Sequence, residues 1–243
     1  MIRGVTYSAE NMTISRMKCV ESLHKNGANM VFEFENKDID EPFYKNNKKI
    51  LDTEFCEYGT RPCNGYWLQK PYFINRVMLE AWDGDYVVYC DAGVEVINDL
   101  SHIINVMQQD VFLFTNGMQH ADWCKADVMQ AINGKQIEHS HNQTQASAIF
   151  IRVNDFTRKF IKEWLLWCQM PGMIDDSPSV MANHPQFACH RYDQAILCCL
   201  AYKYNIVLHW WPDKLWFMNQ RYRWPEDRYP AMFKHHRKRN EEW

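Results

Sequence analysis

The sequence predicts an α/β fold with a mostly parallel central sheet flanked by helices. Strand-like and helix-like segments alternate along the chain, the pattern that builds such a sheet. Segments such as YVVYC and VFLFT read as buried strands. The chain has 243 residues, 47% hydrophobic and 23% charged, enough for one large core, so a single domain over 1–243 is expected.

GVTYS near Val5 and NMVFEFE near Phe32 read as strands. SAENMTISRMKCVESLHKNG between them has helical spacing, opened by Ser8 or Asn11 and stopped by Gly27, which makes a βαβ unit. A charged stretch from Lys37 to Lys49 predicts a short helix and loop. In CNGYWLQKPYFINRVMLEAWDGD, Pro71 falls where a first helical turn tolerates it, and Trp82-Asp83-Gly84-Asp85 ends the helix. The strand YVVYC then runs into Asp91. Beyond it the spacing predicts a helix over 100–109, a strand at Val111, a short helix around Trp123 and a strand SAIFIRV at Ser147. The helix DFTRKFIKEWLLWCQ is opened by Asn154. A proline-bearing link from Met170 to Arg191 reads as an ordered functional loop. The helix DQAILCCLAYKY and a strand at Ile206 follow.

Asp91 stands out because an ionised carboxylate beside a core is costly unless a cation, hydrogen bonds or solvent compensate it. It is either a turn-former ahead of Ala92 and Gly93 or a ligand. In sheets of this kind ligands bind beyond the carboxyl ends of the strands, where Asp91 stands.

The net charge of −3 gives no basic field for nucleic acid. No apolar run spans a membrane and no secretory leader is legible, so a cytoplasmic location is expected. The nine cysteines are an odd number, and neither Cys56 with Cys63 nor Cys198 with Cys199 has zinc-ribbon or redox spacing; reduced thiols are expected. The sequons at Asn11 and Asn142 read as chance. Aromatics, 14% of the chain, suit a core or stacking on sugar and base rings.

GYWLQKPYFI at 65–74, GDYVVYCDAG at 84–93 and HRYDQAIL at 190–197, in this order, resemble a family of small GT-A-type glycosyltransferases found in bacterial capsule clusters and large DNA viruses. The resemblance extends from Thr6 to the terminal HHRKRN. It implies a GT-A-like (Rossmann-like) fold and sugar transfer from a UDP- or GDP-linked donor to a glycan or glycoprotein acceptor, assisted by Mn²⁺ or Mg²⁺, in the host cytoplasm if the chain is viral. Related enzymes carry Asp-x-Asp at the strand end; here the third position is Gly93 and the second carboxylate is missing.

On this reading Asp91 is nearest the cation, which would stabilise the leaving diphosphate. Gly93, next to Ala92, lets ribose or phosphate approach the backbone, or is a plain turn glycine. Further metal ligands would be Glu95, on Asp91's side if the strand continues, or His235 or His236; a solvated tail is the plainer reading of KHHRKRN. Lys70, at a helix start that favours anions, would meet the diphosphate, or is a surface lysine beside Trp67. Thr6 and Tyr7 are placed where GT-A folds seat the base; Tyr7 stacks on it or belongs to the core.

Asp193 is an ordinary N-cap, or it contacts the donor sugar or removes the acceptor proton, with Gln194 and His190 as neighbours. Asp175 and Asp176 compete for the base role. In DWCKAD, a W-x-K-x-D stretch in the family's manner, Trp123 and Lys125 are acceptor candidates beside Asp122 and Asp127. His139 and His141 have a spacing that zinc sites sometimes use, without a third ligand nearby in sequence. Rival readings are an aspartyl-nucleophile phosphatase, which needs an acid where Gly93 stands, and a carbohydrate-binding or donor-binding domain without turnover.

Overall fold

The computed structural model describes residues 1–56, 64–137, 140–214, 229–236 and 238–243. Cys63, His139 and Arg237 lie outside the described residues.

The central sheet has six strands: β1 (Ile2–Tyr7), β2 (Met30–Phe34), β3 (Tyr86–Cys90), β5 (Val111–Gln119), β6 (Asn142–Arg152) and β7 (Leu208–Trp210), in the order β2-β1-β3-β6-β5-β7. β1 pairs in parallel with β2 and β3, and β5 with β7. β6 runs antiparallel to both its neighbours. The expected parallel sheet therefore holds for five strands, and the SAIFIRV segment is the one that reverses.

Side-chain alternation explains why these strands read as uninterrupted apolar runs. Val87 and Tyr89, Ile149 and Ile151, and Val111 and Leu113 enter one core; Val88 and Cys90, Ala148 and Phe150, and Phe112 and Phe114 enter the other. The first core is closed by α2 (Glu41–Leu51), α3 (Gln69–Leu79), α5 (Ala126–Asn133), α6 (Asp155–Gln169) and α7 (Tyr192–Lys203). The second is closed by α1 (Thr13–Lys25), the short α4 (Ser101–Ile104) and a two-stranded ribbon of β4 (Val94–Val96) and β8 (Phe233–His235). The helix expected over 100–109 thus shrinks to one turn, and the ribbon is a feature that neither of its short strands announces.

Local chemistry sets the helix ends. Asp40 caps α2 by accepting from the Phe43 amide at 2.8 Å, and Asn154 caps α6 through a reciprocal pair with Thr157. The link at 170–191 contains no strand or α-helix. Its inner part is instead fastened by Lys125, whose Nζ donates to Gly172 O (2.6 Å), Asp175 O (2.9 Å) and Ser177 O (3.1 Å). Lys125→Met is therefore expected to speed proteolysis within 172–177 and to lower Tm; unchanged cleavage there would show that the ammonium does not hold the loop.

Candidate active site

Asp91 leaves the end of β3 in a tight turn: its amide donates to Ser147 O (2.8 Å) and its carbonyl accepts from the Val94 amide (2.9 Å). The backbone is a turn-former, and the carboxylate is free for something else. It faces Lys70 and Tyr89: Tyr89 Oη donates to Asp91 Oδ1 at 2.9 Å, and Lys70 Nζ lies 3.4 Å from the same oxygen.

Lys70 is not a surface lysine. It is the second residue of α3, its side chain is 5% exposed, and its Nζ reaches Asp193 Oδ2 at 2.9 Å and Ala146 O at 3.1 Å. Asp193, in the first turn of α7, is equally sequestered, whereas the Asp91 side chain is 30% exposed. Asp91 is therefore the member of this trio that meets solvent.

The charges do not balance: two carboxylates share one ammonium. Burial pushes the Asp91 carboxyl up, but Lys70, the Tyr89 hydroxyl and further contributions from His235 and Ser147 outweigh it and hold it below the usual range. Burial disfavours the Lys70 ammonium, yet Asp193 and Asp91 together raise its pKa. Burial also dominates at Asp193, with Asp91 adding to it, and despite Lys70 its carboxyl is pushed up to about 6. The proton therefore favours Asp193, and Asp91 stays ionised.

Two strained backbone segments set up this trio. Asn64, Gly65, Tyr66 and Trp67 all have positive φ (45°, 67°, 53° and 60°) just before α3, and Tyr192 has φ 50° just before Asp193. Left-handed non-glycine residues cost about 1–2 kcal/mol each and persist only where the surroundings hold them. Here Gly65 N donates to Thr53 O at 2.8 Å, and Tyr192 packs on Tyr66 (5.0 Å between centroids) and Trp67 (5.7 Å). A β-carbon on Gly65 would lie 3.0 Å from Gln69 Nε2 and 3.1 Å from Leu51 Cα. Gly65→Ala is accordingly expected to cost about 1–3 kcal/mol in urea unfolding. A cost near zero would mean that the turn does not depend on this glycine.

Gln194 joins the rim, with its Oε1 accepting from the Ala146 amide (3.4 Å) and its Nε2 donating to Gln143 Oε1 (3.0 Å). Asp176 accepts from Tyr192 Oη at 2.9 Å, and so attaches to the same strained segment. Trp123 is half-buried with the Arg191 guanidinium 4.6 Å over its ring. Ala92 and Gly93 are buried in the turn, and Gly93 O accepts from the His236 amide at 2.9 Å.

Several expectations need correcting. Tyr7 takes the core alternative: it is 6% exposed, stacked on Phe73 at 5.4 Å and hydrogen-bonded through its hydroxyl to Asn36 and Asn64. Thr6 is fully buried, with its side chain against the Cys19 thiol. Lys125 is 3% exposed with its ammonium committed to the 172–177 loop, which leaves it no reach toward an acceptor. His190 is 2% exposed, and its ring sits between Met173 O (2.8 Å from Nε2) and the Lys125 amide (3.4 Å from Nδ1) rather than on the rim.

Of the four groups expected to hold a cation, Glu95 and His236 lie together, His235 is close enough for its charge to act on Asp91, and the four do not form one cluster among the described residues. Glu95 pairs with Lys234 (3.1 Å) and lies 3.6 Å from His236 Nε2. His236 Nδ1 accepts from the Lys238 amide at 3.1 Å, which puts the ring proton on Nε2 and leaves no lone pair there for a metal. Among the described residues, no three-ligand group includes Asp91.

No family model matches the chain, and no curated protein matches it. Among solved structures, the fold is similar to mouse xyloside xylosyltransferase 1, with TM-score 0.50 and 7% identity over 98% of this chain and 98% of that one. It is also similar to the WbbM bifunctional glycosyltransferase, with TM-score 0.50 and 15% identity over 87% of this chain. The chain spans 38% of the WbbM length. The fold is GT-A-like: a mostly parallel sheet flanked by helices, with Asp91 at the carboxyl end of a strand.

Proposed function

We propose that this chain is a glycosyltransferase that moves a sugar from a UDP- or GDP-linked donor to a hydroxyl of a glycan or glycoprotein acceptor. The observation that carries the reading is the trio of Asp91, Lys70 and Asp193, where three elements deliver charged groups to one end of the sheet. A structural ion pair would balance its charges and hide them. This one leaves an excess carboxylate and holds it in contact with solvent.

Cleaving a nucleotide-sugar bond leaves negative charge on a diphosphate. Lys70 keeps Asp91 ionised and, at the start of α3, adds its charge to the free amides of that helix end. A diphosphate approaching Asp91 would be repelled by it, so a divalent cation, Mn²⁺ or Mg²⁺, is proposed between them, where it would act as a Lewis acid for the leaving group. Asp193, ionised above about pH 6, would accept a hydrogen bond or proton from a sugar hydroxyl. Asp176, Gln194 and Trp123 form the neighbouring rim for the sugars.

The test is a panel of UDP- and GDP-sugars with purified protein and Mn²⁺. At least one should be hydrolysed slowly without acceptor, and Asp91→Asn should reduce this about 10²–10³-fold. A panel in which no nucleotide sugar binds or shifts Tm would remove the proposal. Binding without turnover would instead favour a donor-binding domain, the outcome that Gly93 in place of a second acid makes specific.

A further inference from the structure

A second group of reactive side chains lies apart from the carboxylate trio and takes no part in the chemistry above. His120, just after β5, Cys124, just before α5, and Cys199, in the middle of α7, are each 0% exposed. Their ligand atoms all lie within 4.8 Å of one another. The two sulfurs are 3.8 Å apart, and His120 Nε2 is 3.4 Å from Cys199 Sγ.

These are the spacings of ligands around a tetrahedral zinc ion. With Zn–S about 2.3 Å and Zn–N about 2.0–2.1 Å, the tetrahedron's edges are about 3.8 Å between sulfurs and about 3.6 Å between sulfur and nitrogen. A disulfide would need the sulfurs at about 2.05 Å. Among the described residues, His120 Nδ1 and the nearby His141 Nε2 are buried without a hydrogen-bond partner.

His190, beside Cys124, stands outside that group of three and is the imidazole from which a fourth ligand is drawn. Its Nε2 lies 2.8 Å from Met173 O, a carbonyl that can only accept, so the ring proton sits on Nε2 and the lone pair on Nδ1. Nδ1 accepts from the amide of Lys125, the residue after Cys124, in a long hydrogen bond of 3.4 Å that a metal at Nδ1 would replace. Cys198 is the other neighbour; its thiol donates to Asn142 O at 3.5 Å and also contacts His120 and His141, but it stands outside the three-ligand group. Charge separates the two as well. Zn²⁺ with two thiolates and two neutral imidazoles is uncharged and suits a dry core, whereas a third thiolate would bury a net negative charge.

We propose that His120, Cys124, Cys199 and His190 bind a structural zinc ion. Four protein ligands leave no open position, which marks such a site as structural rather than catalytic. The ion would join the segment after β5, the 170–191 link near its end and α7; Trp123 and Asp193 lie on the first and last of these, and Asp176 lies earlier in the link. Binding converts two thiols to thiolates and releases their two protons to solvent.

The test measures metal content of the full chain, expressed with zinc and dialysed against EDTA. One zinc per chain is expected, retained equally in Asp91→Asn. Addition of Zn²⁺ to the reduced metal-free protein should release protons and raise Tm by several degrees. Substitution with Co²⁺ should give a thiolate-to-cobalt charge-transfer band that is lost in Cys199→Ser and weakened in His190→Ala. Wild-type protein that takes up neither Zn²⁺ nor Co²⁺ when reduced would overturn the proposal. So would a Cys124–Cys199 disulfide in freshly purified protein, or zinc retained in full by Cys199→Ser. The wild-type measurements decide even if a variant fails to fold.

Discussion

Replacing Lys70 by methionine is expected to lower Tm by about 10 °C and to abolish turnover of any nucleotide-sugar donor. The side chain is 5% exposed and its ammonium is 2.9 Å from Asp193 and 3.4 Å from Asp91. Methionine fills similar space but leaves two carboxylates with no counter-charge, and breaking a buried pair in this way costs about 3–5 kcal/mol. In a domain of this size each kcal/mol is worth about 2–4 °C. The double variant Lys70→Met/Asp193→Asn removes one of the stranded charges and should recover a good part of the lost Tm, but not the activity. Equal destabilisation in the single and double variants would mean that Lys70 acts through packing rather than charge.

The second large effect concerns Asp193. Burial pushes its carboxyl up to about 6 from an ordinary value of 3.8. Between those two pH values the folded chain holds a proton that the unfolded chain has released. The group's contribution to stability is therefore complete below about pH 4 and is lost as pH rises through about 6, amounting to about 3 kcal/mol. Activity should move the opposite way, with kcat/KM rising through about pH 6 as the carboxylate ionises. Asp193→Asn should lower kcat about 10²–10⁴-fold and erase both dependences. A variant that keeps the wild-type acid limb would assign that limb to another group.

The layered sheet was legible because its strands are apolar on consecutive positions and its helices carry recognisable ends, such as Asn154 and Pro71. The direction of β6 was not, since a strand buried on both faces looks alike whichever way it runs. The β4–β8 ribbon was hidden for a related reason: two three-residue strands, 139 positions apart at the Glu95–Lys234 pair, offer no local period to detect. Asp91, Lys70 and Asp193 were each singled out by position, at a strand end and two helix starts. That they form one buried trio depends on tertiary contact, which is why the surface reading of Lys70 failed.

Tyr7 and Lys125 both prove to be interior residues. A tyrosine at a strand end and a lysine in a polar loop suit ligand contact or interior hydrogen bonding equally well, and only burial separates the two. The thiol and imidazole group escaped motif reading because Cys124 and Cys199 are 75 positions apart. The HSH pair drew attention instead; His141 does not belong to that three-ligand group, and His139 lies outside the described residues.

The most direct measurement is a crystal structure with a bound UDP- or GDP-sugar and Mn²⁺, the ion located by its anomalous signal. The diphosphate is expected beside the end of β3, with the ion against the open side of the Asp91 carboxylate and the nucleotide close to the start of α3. A nucleotide lodged elsewhere on the chain, with the Asp91–Lys70–Asp193 trio unchanged and facing only water, would contradict this account.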